Sequence, residues 1–466
     1  MMKSYSNDKQ FIAKLKSIEL LIKQNQLQDA VLQLNLLGKT APHDPRLFLL
    51  GAQLADVSGN ADGVLQAARK AQQLAPQWST ASLYLATVLA GRGEAEEAMS
   101  MAALAVQQTD VPTTQPTHAV ELLAQAADIA LRLNLSDQAL LWLRQAEKIS
   151  PDDFGVRYKI ARAMSASGDA LKAIGIFTDL LLQQPSNPAL LSARMQASLS
   201  AQQTESAIRD GEALMALQPE SALHPYYLAI ARGETPKTQP AEVVASLFDS
   251  YATQYDRLWV VQLHYQLPRD VAQMIHQWHP DREEDVLDLG CGTGLLGACL
   301  GPINGLLVGV DLSVEMLKLA SRHHVYDSFR HVNLTDALTA TPNDQYHIIA
   351  ALDVLGYVGD LEPVIANAYR ILLPGGRFIF SCECGVEGGA DYSLQPTYRY
   401  QHQRPYLERL LVEAGFEEIN IEERVLRFDS DQPVQGFLVT ARKQALAVKK
   451  VVRRVTKSTK PPKSQE

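Results

Sequence analysis

The stretch Val286 to Gly294, VLDLGCGTG, combines residue types that could do chemistry. Glycines at 290, 292 and 294, where an apolar run gives way to a helical one, permit positive φ and let a ligand touch bare backbone. Asp288 stands two positions before the first of them. A phosphate would be repelled by that carboxylate; a cationic ligand would be attracted. A second carboxylate, Asp311 in VGVDLS, ends the next apolar run, where it can accept from both hydroxyls of a ribose. Leu312 or Met316 could flank the base, with a core position the alternative for either. S-adenosylmethionine, a nucleoside bearing a sulfonium and an ammonium, answers both requirements. Gly292-Thr-Gly294-Leu-Leu-Gly297 also spells the dinucleotide fingerprint. That reading, a nicotinamide oxidoreductase, would bury Asp288 and Gly290 inside the strand.

Other candidates are spread along the chain. Phe248, Tyr251 and Tyr255 share a helical face and, on physics alone, read as packing. Asp353 ends a fourth apolar run, with Tyr357 just after it; it could face the reacting group or cap the next helix. Tyr392, Tyr398, Arg399, Tyr400, His402 and Tyr406 crowd one loop-like stretch after a fifth run. With Tyr357, that stretch is the candidate substrate site, and its bland alternative is a lid packed on the sheet. His402 is a candidate general base near neutral pH, and Asp353 and Glu383 are further catalytic candidates. Methyl transfer needs mainly an aligned nucleophile in a dry site, so the lack of a triad does not exclude it.

Positioning these residues requires a sheet. The runs DVLDLG, LLVGVDL, FRHVNL, HIIAALD and RFIFSCE alternate with helical stretches, as in a parallel sheet with crossover helices. EINIEERVL and GFLVTAR, with a turn at DSDQP between them, suit a closing antiparallel pair. The first half differs. Pro42 and Pro76 lie 34 residues apart, as do Pro151, Pro185 and Pro219. Ala30, Val64 and Ala98, then Ala139, Ala173 and Ala207, keep the same step, offset by seven residues near Thr109–Thr117. Small residues let paired helices approach, prolines end the second helix of each pair, and such units must stack to bury their apolar faces.

These motifs carry a resemblance. The 34-residue period resembles the tetratricopeptide repeat, with six units over residues 9 to 221 and a capping helix in SALHPYYLAIARG. Leu247 to Lys443 resembles class I S-adenosylmethionine-dependent methyltransferases, and more narrowly a bacterial group with a tetratricopeptide array fused to that domain. LFDSYATQYD, VLDLGCGTGLLG, ALDVLGYVGDLE, ILLPGGRFIFSCE and YSLQPTYRYQHQRPYLERLLVEAGF carry it. The resemblance implies a Rossmann-like domain with a seven-stranded, mostly parallel sheet behind an all-α solenoid. It implies that Asp288, Gly290, Gly292 and Gly294 line the methionine end of the cofactor and Asp311 the ribose. It puts Tyr251 or Tyr255 over the cofactor and Asp353 near the transferable methyl. An acidic residue usually meets the adenine amino group; here Asn333 stands in that place, with Asp336 three residues on, and Leu334 beside it is a further cofactor contact. The expected division is 1–232 repeat array, 233–242 linker, 243–443 methyltransferase domain and 444–466 basic tail.

Composition bounds the rest. The 466 residues exceed one compact core. The formal charge is −9, although nine Lys/Arg against one acidic residue crowd 442–466, so the body is more acidic still and ill suited to nucleic acid. Cys291, Cys299, Cys382 and Cys384 make no disulfide framework, and the lone C-x-C lacks the second pair of a structural zinc site, so no metal is expected. With no secretory signal and no long apolar run, a cytoplasmic protein without a membrane span is expected. The expected function is methyl transfer from S-adenosylmethionine to an unidentified acceptor. The repeat groove would bind a protein partner or protein substrate, with a small-molecule substrate as another option. The alternative is a non-catalytic scaffold whose methyltransferase domain is degenerate or cofactor-sensing.

Overall fold

The computed structural model describes residues 9–108, 116–252, 255–256, 263–429 and 432–445; the side chains of Pro116, Ser250 and Tyr251 are not among them. Two compact units emerge, Met1–Glu234 and Thr235–Glu466.

The first unit is all-helical. Its described residues form thirteen helices, α1 (Lys9–Lys23) to α13 (Leu223–Ala231), and α3 (Pro45–Val57), α5 (Ser79–Gly91), α9 (Phe154–Ala166) and α11 (Pro188–Ser200) show the period in their first residues. Each pair turns on one residue with left-handed backbone: Asn25, Gly59, Gly93, Asn134, Gly168 and Gln202, with φ of 58°, 72°, 76°, 58°, 92° and 55°. The step is constant except between Gly93 and Asn134, where the seven extra residues fall; residues 109–115 lie outside the described set. Asn tolerates this conformation next best after glycine, so the repeat persists where the glycine does not. Ala30, Ala98, Ala139, Ala173 and Ala207 are fully buried, as close helix contact requires. The capping helix expected after the last unit is α13.

The second unit is an α/β sandwich around one sheet. In chain order it contains α14 (Ala241–Tyr251), α15 (Leu267–Trp278), β1 (Val286–Leu289), α16 (Leu295–Leu300), β2 (Leu307–Asp311) and α17 (Val314–Ala320). There follow β3 (Ser328–His331), α18 (Leu334–Ala340), β4 (Tyr346–Ala351), α19 (Glu362–Ile371) and β5 (Leu372–Cys384). The C-terminal part is β6 (Tyr392–Leu394), β7 (Tyr400–His402), α20 (Arg404–Ala414), β8 (Phe416–Asp429) and β9 (Gln432–Lys443). The order β3-β2-β1-β4-β5 is parallel, and β9 then β8 extend it antiparallel beyond β5. The five runs read as strands form β1 to β5, and the last two form β8 and β9. Asp288 in β1 pairs with Gly309 in β2 and Ala350 in β4, so Asp288, Asp311 and Asp353 emerge at one edge of the sheet.

Two expectations change. Among the described residues the sheet has nine strands rather than seven: the tyrosine-rich stretch forms a hairpin, β6–β7, whose second strand runs alongside the end of β5 through Glu383–Gln401 and Cys384–His402. β4 has already ended there, so the β5 edge needs hydrogen bonds. The stretch 233–242 is not a free linker from Pro236 onward. Thr238 bridges Val358, Gln239 N–H donates to Tyr357 O at 3.1 Å, and the N–H groups of Gly359 and Asp360 donate to Lys237 O, each at 2.9 Å. Its polar composition serves as a strap, because an extended segment with free N–H and C=O groups can satisfy a loop backbone as well as water does.

Candidate active site

Gly290, Gly292 and Gly294 adopt φ of 67°, 54° and 83°, and each is bare for a different reason. A Cβ on Gly290 would lie 2.4 Å from Val354 Cγ2, and one on Gly294 would lie 3.1 Å from Ala320 Cα. A Cβ on Gly292 would meet nothing within 4 Å, because Gly292 faces open cavity. Two adjoining cavities, of about 490 and 320 Å³ of space open to solvent, share Tyr255, Gly290, Gly292 and Leu352. Asp311, Leu312, Leu334 and Asp353 line the first, and Asp288 lines the second.

Each carboxylate is held by the turns around it. Asp311 Oδ2 accepts from Gly292 N–H at 2.9 Å and Oδ1 from Ser313 N–H at 2.8 Å. Burial nevertheless raises its pKa above the ordinary carboxylate value, against those donors. Asp288 accepts from Tyr326 Oη at 2.7 Å. Its burial pushes its pKa up to about 7, opposed by the Tyr326 hydrogen bond and reinforced by Asp311. Asp288 and Asp311, buried at one mouth, form a site that a cation would stabilise.

The segment before the sheet closes on this mouth. Asp249 of α14 accepts from Ser313 Oγ at 2.5 Å, and Asp256 accepts from Thr293 Oγ1 at 2.5 Å. Phe248 and Tyr255 line the first cavity, their rings 6.2 Å apart. Tyr255 thus meets the pocket, whereas the side chain of Tyr251 lies outside the described residues.

Behind Asp353 lies a buried quartet of charges. Arg399 donates to Asp353 Oδ1 and Glu383 Oε1, both at 2.5 Å. Arg427 of β8 donates to the same two oxygens at 3.0 and 2.7 Å. Arg399 also donates to Tyr357 Oη at 2.8 Å, its guanidinium 4.9 Å from that ring. Burial works against the Arg399 charge, but Asp353, Tyr357 and Glu383 outweigh it and raise its pKa. The quartet is electrically neutral, which is how such burial is tolerated.

Several assignments need correction. His402 does not present a nitrogen to the pocket. It is fully buried, and Nε2–H is shared between Val358 O at 3.0 Å and Gly359 O at 3.1 Å. Desolvation lowers its pKa to about 4, so it is neutral across the physiological range. Tyr392, Tyr400 and Tyr406 pack with it: Tyr392 lies 6.2 Å from Tyr400 and 6.0 Å from Tyr406, and His402 stacks on Tyr406 at 6.3 Å. Tyr400 Oη donates to Pro236 O, and Tyr406 Oη accepts from Leu361 N–H. They form the hydrophobic seat of the hairpin and strap, so of the crowded stretch Arg399 alone among the proposed substrate contacts joins the quartet. Glu383 is bridged by two arginines rather than poised alone as a base. Asn333 caps α18: Oδ1 accepts from Thr335 N–H and Thr335 Oγ1, both at 2.9 Å, which occupies both lone pairs. Its neighbours Val332 and Leu334 line the cavity instead.

Sequence reading gave no role to Arg427, Tyr326, Asp249 or Asp256. Arg427 left a trace as an arginine inside the run RVLRF, and Asp249 and Asp256 stand in the stretch LFDSYATQYD. All act through partners distant in sequence.

With this geometry in view, similarity to known proteins is informative. A family model described as a methyltransferase domain matches residues 287–378. The ubiquinone biosynthesis O-methyltransferase of Thiobacillus denitrificans is 30% identical over 182 residues, covering 34% of this chain and 78% of that protein. The chain belongs to the S-adenosylmethionine-dependent methyltransferases. A methyltransferase of the same name from Psychrobacter arcticus is 28% identical over 149 residues, 28% of this chain and 58% of the relative. The chain therefore spans little more than half the length of some of the curated methyltransferases it matches. Among solved structures, magnesium protoporphyrin IX methyltransferase of Synechocystis PCC 6803 aligns at 20% identity with a TM-score of 0.36, covering 44% of this chain and 99% of that one. A TPR protein, YrrB, aligns at 16% identity with a TM-score of 0.33, covering 41% of this chain and 96% of that one.

Proposed function

We propose that this methyltransferase transfers the methyl group of S-adenosylmethionine to an oxygen of an acceptor presented beside Asp353. The observation that carries the proposal is the bare backbone at Gly292 opening on a cavity between Asp288 and Asp311. Those residues fit the cofactor: bare backbone where the thioether arm would run, one carboxylate for the ammonium, another for the ribose. Leu312 and Leu334 would flank the adenine. When bound, S-adenosylmethionine supplies an electrophilic methyl group on a good leaving group. The chain's own part is then to hold, align and keep dry. Asp249 and Asp256 tether the covering segment, Tyr255 and Phe248 exclude water, and the Arg399–Arg427 pair fixes Asp353 and Glu383. An oxygen acceptor is inferred from the names of the curated relatives.

The N-terminal unit, on this reading, is a tetratricopeptide array that binds a protein partner or presents the acceptor. Its six left-handed turns and buried alanines support the repeat array. No helix of the described residues is long and apolar enough to cross a membrane, and the four cysteines are free; we assign the reaction to the cytoplasm. The test is calorimetric titration of the full chain with S-adenosylmethionine, followed by incubation of cell extract with methyl-labelled donor. Label in an alkoxy or ester product, lost in Asp311→Ala and Gly292→Arg, supports the reading. Binding retained in both variants rejects the site, and label on nitrogen or carbon rejects the oxygen acceptor.

A further inference from the structure

We propose that His279, Asp281 and Glu284 form a site for one divalent transition-metal ion with the ligand preference of Zn²⁺. They lie in the short connection between α15 and β1. The imidazole and the two carboxylates each offer one ligand atom, and these atoms lie within 4.8 Å of one another. The observation that points to a cation is Glu284. It is 1% exposed, and neither carboxylate oxygen has a hydrogen-bond partner among the described residues. A buried carboxylate left without partners is costly, and a bound cation relieves that cost. Asp281 and Glu284 also have no ion-pair partner among the described residues; nearby Arg282 donates instead to Pro302 O at 3.1 Å. His347, whose ring is 6.1 Å from that of His279, is engaged through Nδ1 by Asp285 N–H at 3.0 Å and so is not a fourth ligand.

One nitrogen and two oxygens suit Zn²⁺, with water completing a tetrahedron. Ideal tetrahedral ligands at zinc lie roughly 3.3 Å apart. The half-buried His279 and exposed Asp281 can close that gap by side-chain rotation while buried Glu284 stays fixed. The sequence concealed the site because its spacing, His-x-Asp-x-x-Glu, matches no familiar metal motif. Glu284 and Asp288 are four residues apart, about 13 Å along a strand, so the ion would take no part in methyl transfer. It would clip the end of α15 to the start of the strand that carries Asp288. The site is independent of the proposed function.

The test uses untagged full-length protein, stripped with chelator and titrated with Zn²⁺ by calorimetry and with Co²⁺ by visible absorption. One equivalent of metal is expected, with a d–d band of low coordination number and a raised melting temperature. His279→Ala, Asp281→Asn and Glu284→Gln should each weaken Co²⁺ binding at least tenfold, with S-adenosylmethionine affinity unchanged in the first two. Should Glu284→Gln fail to fold, the two more exposed positions decide. Less than half an equivalent bound by the wild type, or undiminished binding in His279→Ala and Asp281→Asn, overturns the proposal.

Discussion

Gly292 and Gly290 differ in what their hydrogen atoms face, and substitution should separate binding from folding. Gly292→Arg projects into the cavity, so cofactor binding should disappear by calorimetry while the protein stays folded, less a cost of about 1 kcal/mol for its left-handed backbone. Gly290→Ala drives a methyl into Val354 and should cost a further 1–3 kcal/mol or so by overpacking. Asp288 gives a pH signature. Its folded pKa of about 7 lies above the ordinary 3.8, so its stabilising contribution is full below 3.8 and is lost as pH rises through 7. Asp288→Asn should therefore melt higher than the wild type at pH 8 and not at pH 3.5. Binding of a cationic donor should strengthen as pH rises through 7 in the wild type and lose that dependence in the variant. Arg427→Ala would leave two buried carboxylates sharing one guanidinium, a loss of about 3–5 kcal/mol measurable by denaturant unfolding.

The secondary-structure elements divide the work between sheet and cover. Strands β1, β2 and β4 fix the carboxylates in register, and α14 with Asp256 closes over them through two hydroxyl–carboxylate bonds. Asp249→Ala with Asp256→Ala removes both tethers and should raise KM for the donor about tenfold, as expected for the loss of two charge-assisted hydrogen bonds on the cover. Steady-state kinetics against donor concentration, with kcat little changed, would bear this out. The hairpin β6–β7 is the other device. It brings Arg399 to the quartet while Tyr400 and His402 lock its base onto the strap and the loop after β4. The aromatic crowding noticed in the sequence is thus the packing that aims one arginine.

The chain's two units have separate cores, one of alanine-lined helix pairs and one on the faces of the sheet. Scanning calorimetry should accordingly resolve two transitions rather than one. Saturating S-adenosylmethionine should raise the midpoint of one of them, by the mass-action stabilisation of the unit that binds it, and leave the other in place. A single transition shifted as a whole would mean that the units unfold together.

Local patterns determined much of this protein. Proline and small-residue spacing specified the helical period, and alternation of apolar runs specified β1 to β5, because helix pairing and strand burial impose their periods directly on sequence. The glycine turn with Asp288 and Asp311 was legible for the same reason: backbone freedom and a strand-end carboxylate are properties of adjacent residues. Only tertiary structure decided the fate of His402, Glu383 and Asn333. A histidine with its N–H spent on two carbonyls and one available as a base have the same local sequence, and the choice rests on Val358 and Gly359, more than forty residues away. The pairing of Arg427 with Asp353 spans 74 residues, and no local period records a contact of that range.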